Sequence, residues 1–303
     1  MKKFQKTTIV LKPKVISEFS NLLPNLTVWL SRRKKTIQFM LEDRERIEKL
    51  LKSVSKKIKD KINYIPESKL YSSSELIISL GGDGTLIGLT RKTNNSKTPI
   101  FGVNLGHLGF ITEFAKENFF EDLESLYRGK FEVSAIPLYR VQIFLRDKVI
   151  QTEHFFNDAV INKHDIARMF RVGIEVNNEP VYTLAGDGLV LSTPIGSTAY
   201  SLAAGGPIMH PELKGCVLTP ICPHGLNHRP IVLPDSSQIS LRLSEKQETA
   251  HLTIDGQVVI PIDGSHTIKI SKNSRKTVYL VKNPERTYFH TLKQKFTHGR
   301  RNE

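Results

Sequence analysis

Short apolar runs alternate with amphipathic segments along the first 130 residues. Residues 75–80 and 99–104 are largely apolar throughout, as is typical of strands buried on both faces of a parallel sheet. Residues 44–58 repeat apolar side chains with helical period, and 118–127 also resemble a helix. Further strands are predicted at 8–11 and 36–41. The alternation predicts an α/β domain built on an open sheet.

The apolar period changes to two beyond about residue 130. Alternating runs lead into the turn dipeptides Asn177-Asn178, Asp255-Gly256 and Asp263-Gly264, a combination that predicts β-hairpins. The runs lie at 141–145, 172–176, 239–243, 252–254 and 258–262. This part is predicted to be mostly β, with two packed sheets. A last strand is predicted at 277–281, and its pattern does not assign it to either part.

Composition narrows the possible classes of protein. A chain of 303 residues favours two domains. It has no apolar run approaching 18 residues, so no transmembrane helix is expected. The two cysteines, Cys216 and Cys222, exclude a disulfide framework and favour a reducing, cytoplasmic location. The net charge of +14 is compatible with anionic nucleotides as ligands or with a merely solvated basic surface. The basic clusters lack the interleaved aromatic residues of an RNA-binding strand, so nucleic acid is not an expected partner. Without a long apolar run, a membrane is not expected as a partner either.

A glycine-rich turn follows the run at 75–80. Gly81, Gly82 and Gly84 surround Asp83 and precede Thr85, at the strand end where open α/β sheets bind ligands. The turn matches neither a Walker A loop nor G-x-G-x-x-G. A carboxylate in a phosphate cradle suggests either a divalent metal or a hydroxyl nucleophile that donates its proton to Asp83. Alternatively, Asp83 only caps a helix at 85–91.

Other candidate residues lie in the β-rich part. Asn157 and Asp158 could grip ribose hydroxyls or a base edge, or could form a plain turn. Asp187 precedes a buried run, and 196–207 is rich in small and hydroxyl-bearing residues. That richness favours close approach to a planar ligand or tight strand–helix packing. The cysteines and neighbouring histidines lack the paired spacing of a zinc site, so no protein metal site is predicted.

Several of these motifs together resemble the NAD kinase family. The match runs from about residue 75 to the C-terminus and rests on the glycine-rich turn, 102–110, Asn157-Asp158, Asp187-Gly188, 196–201, 205–208, 220–223 and Arg229-Pro230. The glycine-Asp motif alone also resembles diacylglycerol and sphingosine kinases and, more distantly, phosphofructokinases. The segment 196–201 is the specific one and favours NAD over a lipid.

The resemblance implies a fold of class α/β plus all-β. Residues 1–128, completed by 276–303, would form a Rossmann-like N-terminal domain. Residues 129–275 would form a β-sandwich-like, NAD-binding C-terminal domain. The resemblance also implies ATP as co-substrate, a divalent metal ion, with Mg²⁺ expected, and a homodimer or homotetramer.

The resemblance implies roles for individual residues as well. Asp83 would accept the proton of the 2′-hydroxyl on the adenosine ribose of NAD. Gly81, Gly82, Gly84 and Thr85 would form the phosphate loop. The residues expected to bind NAD are Asp83, Gly84, Asn157, Asp158, Arg168, Ala185, Asp187, Thr198, Ala199, Tyr200, Ser201, Leu202, Ala203 and Gln257.

Three other functions stay open at this point. A lipid kinase of the same superfamily would need an apolar tunnel and would leave 196–201 without a purpose. A non-catalytic NAD-binding module would not need Asp83. A nucleic-acid binder driven by charge would bind duplex with steep salt dependence.

Overall fold

The computed structural model describes residues 4–14, 16–93, 96–106, 109–164, 170–225, 227–244 and 249–297. The chain forms two compact units. The α/β unit comprises 1–136 and 277–303, and the β unit comprises 137–276.

Strands and helices alternate in the α/β unit. Its strands are β1 (Lys6–Leu11), β2 (Thr36–Met40), β3 (Ile62–Ile65), β4 (Leu76–Gly81), β5 (Pro99–Asn104) and β6 (Phe114–Ala115). Its helices are α1 (Phe19–Arg32), α2 (Arg44–Leu50), α3 (Lys56–Lys59), α4 (Leu70–Ser73), α5 (Asp83–Arg91), α6 (Phe119–Tyr127) and α8 (Tyr288–Thr297). Short 3-10 helices occupy Leu41–Asp43 and Glu67–Lys69.

The strands of the α/β unit form a parallel sheet in the order β5-β4-β1-β2-β3. Every residue of β4 and β5 is buried, which confirms the two strands predicted from their apolar runs. The run at 277–281 is the last part of a long strand that ends at Lys282, and Tyr279 and Leu280 pair in parallel with β5. The apolar sides of α1 and α6 pack into the core of this unit.

The prediction of a single helix over 44–58 is wrong. The chain leaves α2 at Leu50, turns, and starts α3 at Lys56. Leu51 and Val54 are still buried, so the apolar period identified the side chains that face the core. Serine side chains compete for backbone hydrogen bonds, and Ser53 and Ser55 lie where the helix is interrupted.

The β unit is built almost entirely of strands. They are β7 (Glu132–Leu145), which begins in the α/β unit, β8 (Lys148–Phe155), β9 (Asp158–Lys163), β10 (Phe170–Val176), β11 (Glu179–Gly186), β12 (Gly188–Ser192), β13 (Gly215–Ile221), β14 (Ile231–Pro234), β15 (Ile239–Leu243), β16 (Thr249–Ile254), β17 (Val258–Asp263) and β18 (His266–Lys282). A 3-10 helix at Ile195–Thr198 precedes the short helix α7 (Tyr200–Ala203).

These strands form two sheets with one core between them. One sheet has the antiparallel order β11-β10-β15-β18, with β7 beside β18 and β8 beside β7. The other has the order β14-β13-β12-β9-β16-β17. Buried side chains from both sheets belong to one apolar cluster, which includes Val141, Val172 and Ile268 from the first sheet and Ile161 and Leu252 from the second. The predicted fold class, α/β plus a β-sandwich-like part, is confirmed.

The predicted hairpin turns have mixed outcomes. Asn177 and Asn178 have φ values of 53° and 68°, and Asp255 and Gly256 have 49° and 63°. Both turns join paired neighbours, β10 to β11 and β16 to β17, as their dipeptides predict. The hairpin expected at Asp263-Gly264 is wrong, because β17 pairs with β16 whereas β18 pairs with β15 in the other sheet.

Among the described helices, none combines the length and apolarity needed to span a membrane. Both cysteines are free, with Cys216 buried and Cys222 exposed.

Candidate functional site

Asp83 is the first residue of α5, directly after Gly82 at the helix N-cap. The N-cap of α5 makes no side-chain hydrogen bond, and the Asp83 carboxylate instead accepts hydrogen bonds from a distant loop. The alternative that Asp83 only caps its own helix is therefore not what the structure shows.

The loop at 110–112 holds the Asp83 carboxylate. Phe110 N donates to Asp83 Oδ2 at 2.7 Å, and Ile111 N donates to Oδ1 at 3.2 Å. Thr112 donates twice to Oδ1, from its backbone N at 2.9 Å and from Oγ1 at 2.8 Å. Hydrogen bonds to a charged group are shorter and stronger than neutral ones, so this carboxylate has a fixed position and orientation.

The two carboxylate oxygens of Asp83 differ in how many further hydrogen bonds they can accept. Within the described residues, Oδ1 accepts three hydrogen bonds and Oδ2 accepts one. An ionised carboxylate has about four lone-pair sites, two on each oxygen. Oδ2 is therefore the oxygen that can accept a further hydrogen bond, for example from a substrate hydroxyl.

The glycines around Asp83 differ in their surroundings. A Cβ on Gly81 would lie 2.3 Å from Thr85 Oγ1, whereas one on Gly82 or Gly84 would meet no described atom within 4 Å. Space beside the backbone at the start of a nine-residue helix suits an anion, because the positive end of the helix dipole lies there.

The β unit contains a separate cavity of about 340 Å³. Four of the predicted residues line it, namely Asn157, Asp158, Ala199 and Tyr200. Five residues that the sequence analysis did not select also line it: Val160, Asn162, Thr253, Asp255 and Gly256. The side-chain oxygens of Asn157 and Asn162 are buried and have no hydrogen-bond partner among the described residues. Buried polar atoms are normally paired, so these two oxygens suit donors on a ligand.

Asp255 supports the wall of this cavity, and the sequence analysis did not select it as a site residue. Its carboxylate accepts backbone hydrogen bonds from Phe156 at 3.0 Å, Asn157 at 2.7 Å and Asp158 at 3.2 Å. The hairpin turn of β16 and β17 thereby fixes the start of β9. The signal in the sequence was Asp255-Gly256, which was interpreted only as a turn.

Burial perturbs the second carboxylate of the cavity. Asp158 is 5% exposed, and desolvation, followed by repulsion from Asp255, raises its pKa from 3.8 to about 7. A backbone hydrogen bond from Tyr200 opposes this shift. Asp158 therefore changes protonation state near neutral pH, whereas an ordinary aspartate is already ionised there.

Gly196 and Tyr200 contact Asn157 and Asp158, the two residues where β9 begins. A Cβ on Gly196 would lie 2.1 Å from the carbonyl oxygen of Asn157, so only glycine allows this backbone contact. Thr198 Oγ1 donates to Ile195 O at 3.2 Å, and the buried Ser201 Oγ lies 2.9 Å from Thr219 Oγ1. The structure thus brings Ala199 and Tyr200 to the cavity, whereas the hydroxyls of Thr198 and Ser201 form hydrogen bonds within the β unit. Leu202 and Ala203 complete α7.

Three more predicted residues lie away from the cavity lining. The Asp187 carboxylate forms an ion pair with Lys163 Nζ at 2.6 Å, and this contact lowers its pKa. Ala185 O accepts a hydrogen bond from His224 N at 2.9 Å, and Gln257 lies exposed in the turn after β16. Arg168 lies outside the described residues.

The arrangement of His, Cys, Asp and Glu side chains bears on where a metal ion could be held. In the part of the chain that the structure describes, no group of three or more His, Cys, Asp or Glu residues could hold a metal ion. Mg²⁺ at phosphoryl-transfer sites is commonly held by one or two carboxylates together with substrate phosphates and water.

Comparison with known proteins identifies the family. The model of the ATP-NAD kinase N-terminal domain matches residues 8–131, and that of the C-terminal domain matches 156–283. The NAD kinase of Geotalea daltonii is 40% identical over 252 residues, which cover 83% of this chain and 87% of the relative. The NAD kinase of Heliobacterium modesticaldum is 37% identical over 273 residues, covering 90% and 92%. The chain belongs to the ATP-NAD kinase family.

Solved structures agree with this membership. An NAD kinase from Archaeoglobus fulgidus in complex with ATP is 25% identical, with a TM-score of 0.73 and coverage of 96% of this chain and 98% of that one. Yeast NADH kinase complexed with NADH shares the fold, with a TM-score of 0.85 at 24% identity over 99% of this chain and 89% of that one.

Family membership resolves the functional alternatives. The chain is an NAD kinase, a phosphotransferase that uses ATP, and the lipid kinase and the non-catalytic NAD-binding module are not favoured. The residue assignments within this family fold stay predictions.

Asp158 gives the folded protein a characteristic dependence on pH. Its folded-state pKa of about 7 exceeds the ordinary aspartate value of 3.8, so the folded state binds this proton more tightly than the unfolded state. The contribution to stability is present at low pH and is lost as pH rises through about 7. We expect D158N to abolish this component, so that the difference in Tm between wild type and variant changes between pH 4 and 7 and levels off above. A difference independent of pH would show that Asp158 is not buried in this way.

Proposed function

We propose that Asp83 Oδ2 accepts the proton of the 2′-hydroxyl on the adenosine ribose of NAD while that oxygen attacks the γ-phosphorus of ATP. The supporting observation is the Asp83 carboxylate itself, which accepts four hydrogen bonds from described residues, three at Oδ1 and one at Oδ2. Orientation is what a phosphoryl-transfer site chiefly supplies.

The proton balance of this step is simple. The ribose oxygen forms a bond to phosphorus as the bond from phosphorus to the β–γ bridging oxygen breaks, giving NADP and ADP. A ribose hydroxyl is too weak an acid to be ionised beforehand by a carboxylate, so its proton moves to Asp83 as the new bond forms. Such general-base assistance contributes about 10²–10⁴-fold.

The cavity of the β unit is proposed to recognise NAD. Asn157 Oδ1 can accept a hydrogen bond from the adenine amino group, and ionised Asp158 can accept from ribose hydroxyls. Tyr200 is 47% exposed and offers a flat ring for stacking on a base. The wider set of Arg168, Ala185, Asp187, Thr198, Ser201 and Gln257 remains proposed from the family resemblance, as does the assignment of 129–275 as the NAD-binding domain.

ATP is proposed to lie with its phosphates against Gly82, Gly84 and Thr85. The open space beside both glycines and the start of α5 support this assignment. A divalent ion bound to the triphosphate would neutralise the charge that develops during transfer.

The direct test is incubation with NAD, ATP and MgCl₂, followed by an NADP-dependent dehydrogenase that reports the product. We expect NADP to accumulate, and we expect EDTA in excess of Mg²⁺ to abolish turnover while leaving Tm and NAD binding unchanged. A lower Tm in EDTA would indicate instead that the protein itself binds a structural metal ion. Turnover that persists in EDTA would contradict the requirement for a metal.

We also propose an oligomeric state, a location and a substrate preference. The chain is proposed to form a homodimer or homotetramer, which the mass measured by light scattering would distinguish from a monomer. A cytoplasmic location, suggested by the two free cysteines, is checked by cell fractionation. Diacylglycerol vesicles offered in place of NAD should yield no phosphorylated product.

A further inference from the structure

The loop that holds Asp83 is itself held by Arg286. The guanidinium Nη1 donates to Thr112 O at 2.9 Å, and Nη2 donates to Gly109 O at 2.6 Å. These carbonyls flank the three amides, at 110–112, that donate to Asp83. One side chain therefore spans both ends of the segment that orients the carboxylate.

Arg286 is fixed at its own end as well. Its Nε donates to Thr291 Oγ1 at 2.8 Å, and Thr291 is 4% exposed within α8. Burial lowers the pKa of the guanidinium, and the Glu113 and Asp83 carboxylates oppose that effect. Arginine remains charged in proteins, so its hydrogen bonds to the Gly109 and Thr112 carbonyls persist across the working pH range.

The same stretch of chain makes a second, separate contact. Lys282 Nζ forms an ion pair with Glu113 at 2.5 Å, and Asn283 N donates to the same carboxylate at 2.7 Å. These contacts hold the strand end at 282–283 but do not involve the carbonyls of Gly109 and Thr112. Lys282 therefore offers a control from the same segment.

We infer that Arg286 is a positioning residue for the phosphoryl transfer, acting through the carbonyls of Gly109 and Thr112 to keep Asp83 Oδ2 directed at the ribose hydroxyl. The inference rests on the proposed role of Asp83. Its physical basis is that a planar fork with five fixed donors can bridge two carbonyls, which a single ammonium cannot do with the same geometry.

The test compares R286M, R286K and K282M with wild type. We expect R286M to lower kcat by about 10–10²-fold, as for a small misplacement of a reacting group, with KM for NAD and for ATP unchanged. R286K should be intermediate. K282M should keep wild-type kcat although it loses an ion pair. Assays are run well below the Tm of each variant, so that lost turnover does not report unfolding.

A double variant separates positioning from general support of the fold. If Arg286 acts through Asp83, R286M placed in D83N should cost no further turnover, because coupled residues are not additive. A multiplicative loss in the double variant overturns the inference, as does wild-type kcat in R286M. Should R286M not fold, T291V removes the acceptor of Nε and is expected to show a smaller loss of kcat, again at constant KM.

The two proposals fail differently. If D83N loses turnover and neither R286M nor T291V does, Asp83 keeps its role and only the inference about Arg286 is wrong. If D83N turns over normally, the assigned role of Asp83 fails, and the inference that depends on it fails too.

Discussion

D83N is expected to lose about 10²–10⁴-fold in kcat, the range of general-base assistance, while its affinity for NAD changes little. An asparagine can place its amide oxygen where Oδ1 accepts from Ile111 and Thr112. Its Nδ2 then faces Phe110 N, a donor opposite a donor, and the variant loses the proton acceptor at Oδ2. Turnover in the coupled assay and NAD titration by calorimetry measure the two effects separately.

The structure also predicts a modest effect of D83N on stability. The Phe110 N–H loses its charged acceptor and faces a donor, at a cost of about 1–3 kcal/mol, so the fold should persist with a lower Tm. D60N changes an exposed aspartate of the same unit and should match wild type in both assays. Near-normal turnover of D83N would rule out Asp83 as the proton acceptor.

G109A is expected to reduce kcat by about 10²-fold, the effect of misplacing a catalytic group by about 1 Å. A Cβ at this position would lie 2.0 Å from Asp83 Oδ1, 2.4 Å from Thr112 Oγ1 and 2.6 Å from Asp83 Cγ. The carboxylate cannot simply swing aside, because four hydrogen bonds hold it. Either the carboxylate or the loop must move, and both oxygens then leave their positions.

G106A is the matched control for G109A. Gly106, like Gly109, lies in the segment between β5 and β6, but among the described residues the nearest atom to its added Cβ is Asn104 Oδ1 at 3.9 Å, an ordinary contact. We expect wild-type kcat from G106A, and KM values near wild type from both variants. Equal kcat losses in the two would mean that the loop tolerates no side chain for a general reason, unrelated to Asp83.

The sequence predicted those features that depend on local patterns. Apolar runs with no polar face indicated the buried strands β4 and β5, and the dipeptides Asn177-Asn178 and Asp255-Gly256 indicated turns with positive φ. The glycines around Asp83 pointed to a ligand site at the end of a strand. Each of these signals lies within a few residues of the structure that it specifies.

Local patterns failed where packing chose between alternatives. The apolar face of 44–58 is buried as expected, yet the helix is interrupted. Asp263-Gly264 forms a turn, but the strands on either side join different sheets. Turn chemistry sets the direction of a few residues, whereas membership of a sheet depends on which side chains the whole core can bury.

By itself, the sequence determined the fold class and the family, and it singled out Asp83 as the candidate carboxylate. Only the tertiary structure showed that Asp83 is held by a loop 27 to 29 residues away, that Asp255 holds the start of β9 from 97 to 99 residues away, and that Arg286 clamps Gly109 from 177 residues away. The reason is physical: periodicity and turn propensity are properties of neighbouring residues, while a hydrogen bond between distant segments exists only once the rest of the chain has folded around it.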